Sequence, residues 1–419
     1  MKNSIVIMAG GQGTRLKRKI NNLPKSLAPI GNKTILEYQI EHLKKYKDID
    51  LHFCLGYKSH QILKLLESLE IEFTFSIEEK PLGTYGALYN SKDYLNRNFF
   101  VLYGDVLTNF DINFGFDKFK KLEADFLLIS RFTDHPLDSD LIKFNNKNQV
   151  TDIFRVNEDT YNYSPVGNTG LFYGKKSCLN INITSNKPDI FKDFIKGNLD
   201  KYKVKTIMSN SYIKDVGTEE RYEKETKNID NYLNTKKNII FLDRDETIIE
   251  NNEKNSIEDL KFKKGALDLI KKLQKNNYSI FLITNQPGVA KGFCSLEDVK
   301  RFHNHIQLFL ISNGLKPFDQ IKFCPHHPKK GYPKELKEMK ITCKCRKPDS
   351  EMVNEVLNEF NISGEQNFKF IGDTITDYYL SQNFNSDFYM IKSCFTDINK
   401  TKKNNLKIYN TLKEIEDIL

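Results

Sequence analysis

The 419-residue chain contains no tryptophan and only seven cysteines, has no apolar run approaching a membrane span, and nowhere gathers its charges into a block. The missing tryptophan excludes nothing. The short apolar runs argue against a spanning helix, which needs about 20 consecutive apolar residues. The opening MKNSIVIMAGG falls short of that, lacks the pattern of a cleavable signal and passes straight into glycines. The expectation is a soluble, cytoplasmic protein that does not engage a membrane. Lysine and arginine number 64 against 55 acidic residues, a net charge of +9 dispersed among asparagine and isoleucine. Such dispersal suits solubility and attraction to small phosphorylated molecules, and argues against nucleic-acid binding. Cys54, Cys178, Cys294 and Cys394 are too scattered for a disulfide framework. The chain also lacks an internal repeat and a Gly/Pro-rich tract, so its halves are not copies of one another.

The length exceeds that of a usual single domain, which predicts two. Residues 219–237 are polar and helix-prone. They read as a closing helix followed by a connector near Asn234–Asn238, placing the domains at 1–233 and 238–419. A homo-oligomer is left open.

In the first half, Ser4–Met8 reads as a buried strand that opens into a glycine-rich turn, Ala9 to Leu16. Gly10, Gly11 and Gly13 leave backbone N–H groups free to cradle phosphates, and Arg15 adds a fixed positive fork. The turn is neither a Walker loop nor a G-x-G-x-x-G element. Lys25 follows between Pro24 and Pro29, which stiffen its loop and suit a cation held against a polyphosphate. Glu79–Leu88, Val101–Asp105 and Tyr212–Thr218 complete a set that resembles the sugar-phosphate nucleotidyltransferase family from residue 1 to about 222. The resemblance implies a Rossmann-like α/β domain in which Gly10, Gly11, Gly13, Thr14, Gly83, Thr84 and Gly86 bind the nucleotide. Arg15 and Lys25 would be catalytic, and Asp105 and Asp215 would hold Mg²⁺. A sugar 1-phosphate would attack the α-phosphate in line, with pyrophosphate leaving. One departure is that the family's Glu-Lys before Asn-x-Gly is absent. Asn168 is present, and Arg155 is expected to take the lysine's place on the sugar phosphate.

In the second half, the β-formers Ile239–Leu242 end on Asp243 and Asp245. Two carboxylates released at a strand end at i and i+2 can share one Mg²⁺ and take different roles, Asp243 attacking a phosphoryl group and Asp245 handling the proton. Ser279–Ile283 is another apolar strand, ending on Thr284 and Asn285, which suit phosphoryl oxygens. Arg346 and Lys347 supply cations, and Phe368–Ile371 leads to Asp373 and Asp377. This order resembles the haloacid-dehalogenase phosphohydrolase superfamily, again a Rossmann-like α/β fold. The resemblance makes Asp243 the nucleophile, Asp245 the acid and base, and Thr284 and Lys347 the phosphoryl stabilisers. Asp243, Asp245 (through its backbone carbonyl) and Asp373 would be the Mg²⁺ ligands, with Asp377 outside them. Glu246 stands where the superfamily has glycine, which adds bulk and negative charge near a phosphate site.

Cys324, His326, Cys343 and Cys345 have the spacing of a closed, structural tetrahedral Zn²⁺ site, with His327 beside it. The clip would order the loop that delivers Arg346 and Lys347. Together with Thr284–Val289 it resembles heptose-1,7-bisphosphate 7-phosphatases, and histidinol-phosphate phosphatases share it. The neighbouring nucleotidyltransferase favours the former, because a heptose 7-phosphatase makes the heptose 1-phosphate that a transferase consumes. The resemblance therefore implies a bifunctional enzyme taking heptose 1,7-bisphosphate, heptose 1-phosphate and a nucleoside triphosphate, GTP favoured, to a GDP-heptose of the α series. A mannose- or other hexose-1-phosphate transferase fused to a histidinol-phosphate-type phosphatase, or one half serving as a scaffold, are the alternatives.

Overall fold

The computed structural model describes the chain except for residues 1, 14, 17–18, 161, 180–184, 234–237 and 363–366. The expected connector falls largely on 234–237 and so lies outside the described residues. The chain divides into two units. The first is Met1–Arg131 with Asp140–Arg155 and Val166–Thr235. The second is Phe132–Ser139, Val156–Pro165 and Lys236–Leu419.

The first unit is built on Asn3–Ala9, whose run of β-formers pairs in parallel with Ile49–Leu55 on one side and Asn98–Tyr103 on the other. Thr74–Ile77 extends the sheet in parallel beyond Ile49–Leu55. On the other flank Val166–Lys175 runs antiparallel to Asn98–Tyr103, and the sheet reaches nine strands. Side chains alternate across it. Ile5 and Ile7 join one core with Leu36, Ile40 and Phe100, while Val6 joins another with Phe99, Val101 and Phe172. Both faces are buried around the parallel strands at its centre, as parallel pairing requires. Met8 lies opposite Tyr103, so the loops starting at Gly10 and Gly104 leave the same edge. The expected closing helix is present as Glu219–Lys227, capped by the Thr218 hydroxyl, and Ile229–Leu233.

The second unit has a six-stranded, wholly parallel sheet in the spatial order Gln320–Cys324, Tyr278–Asn285, Asn238–Leu242, Phe368–Gly372, Asp387–Ile391, Ile408–Tyr409. The chain starts in the middle, winds outward on one side, then returns and winds outward on the other. Asn238–Leu242 therefore ends at the point where the winding reverses, the place in such sheets where ligands bind. Phe241 stacks on Phe281 and Phe370 and fixes the three central strands against one another. Both units are α/β, as expected. Among the described residues no helix is long and apolar enough to cross a membrane.

Candidate active sites

The carboxyl edge of the first sheet opens on a cavity of about 390 Å³ lined by, among others, Gly10, Gly11, Gly13, Arg15, Lys25, Gly83, Thr84 and Asp105. Seven of the expected nucleotide and catalytic residues and the expected metal ligand Asp105 thus share one cavity. Thr14 lies outside the described residues. Gly86 is not among the lining residues: it packs on Leu82 within its own helix, where an added Cβ would stand 2.8 Å from the leucine Cβ. Gly83 is required by its surroundings, with φ +77° and the Lys187 carbonyl carbon 2.5 Å from where a Cβ would be. The Thr84 hydroxyl accepts from the Ile190 N–H at 2.8 Å, which ties the loop down.

Asp105 and Asp215 are brought together by backbone. Val106–Thr108 and Ile213–Asp215 form an antiparallel pair, and the Val216 N–H donates to the Asp105 carbonyl at 3.0 Å. The Lys25 ammonium is ion-paired with Asp105. Arg221 donates to both oxygens of Asp215 at 2.8 and 3.1 Å. Burial pushes the Asp215 carboxyl up, but Arg221, the Gly217 N–H and Lys25 outweigh it, so the group stays below its ordinary value and ionised. A Cβ on Gly217 would lie 2.7 Å from Asp215, 3.0 Å from Lys25 Nζ and 3.7 Å from Arg15 Nη2, so these side chains converge on one point. Gln39 donates to the carbonyls of Tyr103 at 2.8 Å and Val106 at 2.7 Å, fixing the loop that carries Asp105. Two carboxylates brought together at the edge of this cavity, with Asp215 held ionised, fit Mg²⁺.

Arg155 and Asn168 depart from expectation. Neither lines the cavity. Arg155 donates to Asp140 at 2.6 Å with its side chain half exposed, and the Asn168 N–H is taken by the Asp140 carbonyl at 2.8 Å. Asp140 has captured the arginine that was to replace the family's lysine. Sequence reasoning missed Arg221, Gln39 and Glu78. Glu78 lines the cavity and accepts from the Leu82 N–H at 3.0 Å. Arg221 had a local signal, one turn past the Thr218 cap on the helix that follows Asp215.

In the second unit Asp243, Asp373 and Asp377 form one cluster, their nearest oxygens within 4.8 Å of one another. Lys347, itself buried, reaches between Asp243 at 2.5 Å and Asp377 at 2.6 Å and donates to the Ile283 carbonyl at 2.9 Å. Asn285, expected on substrate, holds the Lys347 backbone with its amide, accepting at 3.0 Å and donating at 3.2 Å. Thr284 is buried at the same strand end. Ser393, unforeseen, donates to Asp373 at 2.6 Å. Gly372 leaves the room that Asp377 occupies: an added Cβ would stand 2.5 Å from the Asp377 Cβ. Burial raises Asp243 well above the carboxylate range, with Lys347 opposing and the other two aspartates reinforcing. Burial and Asp377 push Asp373 up to about 6. Burial works against the Lys347 charge, but Asp243 and Asp377 more than restore it. Three carboxylates around one ammonium would leave two uncompensated negative charges when all are ionised. A buried site carries such an excess only beside another cation, so the donor set fits Mg²⁺.

Asp377, expected outside the Mg²⁺ ligands, joins the carboxylate cluster, while Asp245, expected to contribute its backbone carbonyl, keeps its carboxylate out of it. Arg244 and Gln286 hold the Asp245 side chain elsewhere. Glu246 also differs from expectation. It has the left-handed φ of 56° that glycine would adopt freely, but its carboxylate pairs with Lys263 at 3.0 Å and accepts the Asn251 N–H at 3.0 Å. Its charge is met by Lys263.

Cys324, His326, Cys343 and Cys345 come together as expected, all four ligand atoms within 4.8 Å. Cys345 Sγ lies 3.1 Å from Cys324 Sγ and 3.3 Å from Cys343 Sγ. Two thiols and an imidazole joined by a third thiol are soft donors suited to a four-coordinate Zn²⁺. Burial raises the Cys324 and Cys345 thiols, so a metal entering there displaces protons. Arg346, expected on substrate, donates to the His326 carbonyl at 3.0 Å and braces the clip.

Two measurements check these sites. Asp373 binds its proton more tightly folded than unfolded, so it destabilises the metal-free fold as pH rises from its ordinary carboxylate value toward about 6. Replacing it with Asn should therefore stabilise the metal-free protein relative to wild type by about 2–3 kcal/mol at pH 7 and by little near pH 4. Denaturant titrations of both proteins at the two pH values read this, and a difference independent of pH would refute it. Metal analysis should find about one zinc per chain, lost in Cys343→Ser. Full zinc retention in that variant would remove the cysteine from the site.

Residues 4–231 match the nucleotidyl transferase family, and residues 238–409 match the family described as polynucleotide kinase 3 phosphatase. The D-glycero-alpha-D-manno-heptose 1-phosphate guanylyltransferase of Campylobacter jejuni is 30% identical over 219 residues, 52% of this chain and 96% of that protein. The D-glycero-beta-D-manno-heptose-1,7-bisphosphate 7-phosphatase of Helicobacter pylori is 32% identical over 182 residues, 43% of this chain and 89% of that protein. HddC from Yersinia pseudotuberculosis, a solved structure, aligns at a TM-score of 0.45 and 26% identity over 54% of this chain and 99% of that one. With a Lys25–Asp105 basin in one unit and a Lys347-bridged aspartate cluster in the other, the chain belongs over its first half to the nucleotidyl transferase family and over its second to the family of the heptose-bisphosphate phosphatases, one enzyme with both activities.

Proposed function

We propose that the chain performs two consecutive reactions. Its second domain, 238–419, hydrolyses the 7-phosphate of D-glycero-D-manno-heptose 1,7-bisphosphate. Its first, 1–233, transfers GMP from GTP to the resulting heptose 1-phosphate. The observation that carries this reading is the presence on one chain of two phosphate-handling sites, one with a relative named for removing the 7-phosphate of a heptose 1,7-bisphosphate and the other with a relative named for guanylylating a heptose 1-phosphate.

In the phosphatase step an Asp243 oxygen attacks the phosphorus, the bond to the C7 oxygen breaks, and that oxygen takes a proton from Asp245. Water then attacks the aspartyl-phosphate, gives a proton to Asp245 and frees phosphate. Lys347 aligns Asp243 at 2.5 Å and, with Thr284, meets the phosphoryl oxygens. Asp243, Asp373 and Asp377 would hold Mg²⁺, which supplies neutralisation of the phosphoryl charge. In the transfer step an oxygen of the sugar phosphate attacks the α-phosphorus of GTP and pyrophosphate leaves. Arg15, Lys25 and the Gly10–Gly13 amides receive the triphosphate charge. Asp105 and Asp215 would hold a second Mg²⁺. The guanine preference rests on the name of the Campylobacter jejuni relative.

Hydrolysis at C7 touches no bond at C1, so the anomer passes through unchanged. The phosphatase relative is named for the β-bisphosphate and the transferase relative for the α-phosphate. Transfer acts on the anomeric phosphate itself, whereas the phosphatase works at the far end of the sugar. The shared substrate is therefore the α anomer.

The test supplies α- and β-1,7-bisphosphate separately with GTP and Mg²⁺, and weighs the products by mass spectrometry. GDP-heptose should form from the α anomer. Its formation from neither anomer would end the proposal, and formation from β alone would end the assignment of anomer. Asp243→Asn should abolish phosphate release while sparing pyrophosphate release from added heptose 1-phosphate, and Asp105→Asn should do the reverse. Glu246→Gly should leave phosphatase kcat within about twofold, since its carboxylate is spent on Lys263.

A further inference from the structure

The residue between the two aspartates of D-x-D has no evident duty, yet here it is Arg244, fully buried. A buried guanidinium is costly unless its donors are satisfied. Arg244 Nη2 donates to both oxygens of Asp245 at 2.9 Å, and Nε adds a third bond at 3.1 Å. Nη2 also reaches Gln286 Oε1 at 2.8 Å. Nη1 donates to Asn255 Oδ1 at 2.6 Å and meets His303 Nε2 at 3.1 Å. Because arginine only donates, His303 accepts at Nε2 and is neutral. Burial and the Arg244 charge hold its pKa well below the ordinary value, in keeping with this. The guanidinium plane lies 4.9 Å over the Phe302 ring.

Gln286 closes the arrangement. Its Nε2 donates to Asp245 Oδ2 at 2.6 Å and to Thr284 Oγ1 at 2.9 Å, while its Oε1 accepts from Arg244 and, at 3.2 Å, from Asn255. The Asp245 carboxyl is thus held by a rigid fork and linked through one amide to the threonine at the neighbouring strand end. None of these partners belongs to the Asp243–Asp373–Asp377 cluster.

We propose that Arg244 is a positioning residue of the phosphatase site: its buried fork, with Gln286, fixes where the Asp245 carboxyl stands so that its proton reaches the departing sugar oxygen. This rests on the reading of Asp245 as the acid. Lysine, a single rotatable point charge, cannot reproduce a fork bound to two oxygens at once.

The readout is leaving-group dependence of kcat/KM, which reports steps up to phosphoryl transfer. A sugar alkoxide needs a proton to leave, and p-nitrophenolate does not. The Mg²⁺- and zinc-loaded full chain is assayed with heptose 1,7-bisphosphate and with p-nitrophenyl phosphate. Arg244→Lys should lower kcat/KM for the sugar roughly 100-fold, within the range of general acid catalysis, and for the nitrophenyl ester less than about threefold. Gln286→Leu, which keeps the arginine, should show the same split at roughly 10-fold, and it decides the matter if Arg244→Lys does not fold. Equal losses on both substrates, or no loss on either, overturn the proposal. Asp245→Asn is the control. If it shows the split and the other two variants do not, the positioning role alone is refuted. If it shows no split, the acid assignment falls and the proposal with it.

Discussion

The second unit is organised around the Lys347 ammonium, buried between Asp243 and Asp377. Without it three carboxylates would crowd a buried pocket, and breaking a buried pair of this kind costs about 3–5 kcal/mol. Much of the surrounding chain serves to put that nitrogen in place. The sheet's central strand delivers Asp243, its neighbour offers the Ile283 carbonyl and Asn285, and Gly372 makes room for Asp377. Even the cysteine cluster contributes, since Cys345 stands two positions before the lysine and Cys324 pairs in register with Asn285.

The first unit reaches a similar solution on a different sheet. Lys25 meets Asp105 just beyond the end of a strand paired with the central one, and Arg221, in the helix that follows, meets Asp215 at the end of a two-strand ladder. In each unit a lysine contributed by a loop meets a carboxylate at the edge where parallel strands end. That edge is where backbone N–H groups are unspent and where a phosphate can be met from several sides.

What the sequence shows and what it hides follow from how far each pattern reaches along the chain. The strands Ser4–Met8, Ile239–Leu242, Ser279–Ile283 and Phe368–Ile371 were legible because a buried parallel strand is a continuous apolar run. Gly13, Lys25, Asp243, Lys347 and the cysteine cluster were legible because each sits in a short, chemically unusual string. The partners of Arg244 were not: Asp245 is its neighbour, but Asn255, Gln286 and His303 lie 11 to 59 positions on and meet it only through the fold. The place of Asp377 in the carboxylate cluster was hidden for the same reason, since the direction of a side chain depends on who holds it. Arg155 shows the converse. Its charge suggested a phosphate, and nothing local revealed that Asp140 would take it.

Glu246 occupies a left-handed corner that costs a non-glycine residue about 1–2 kcal/mol, and Lys263 answers it twice, through the carboxylate and through the backbone carbonyl. The two positions therefore form a single heritable unit. Glycine at the corner would keep the backbone bond to Lys263 and give up the carboxylate's, whereas losing the lysine first would leave the Glu246 charge without the cation that pairs with it. The order of substitutions open to this chain is thereby restricted, and the passable route runs through the corner before the lysine.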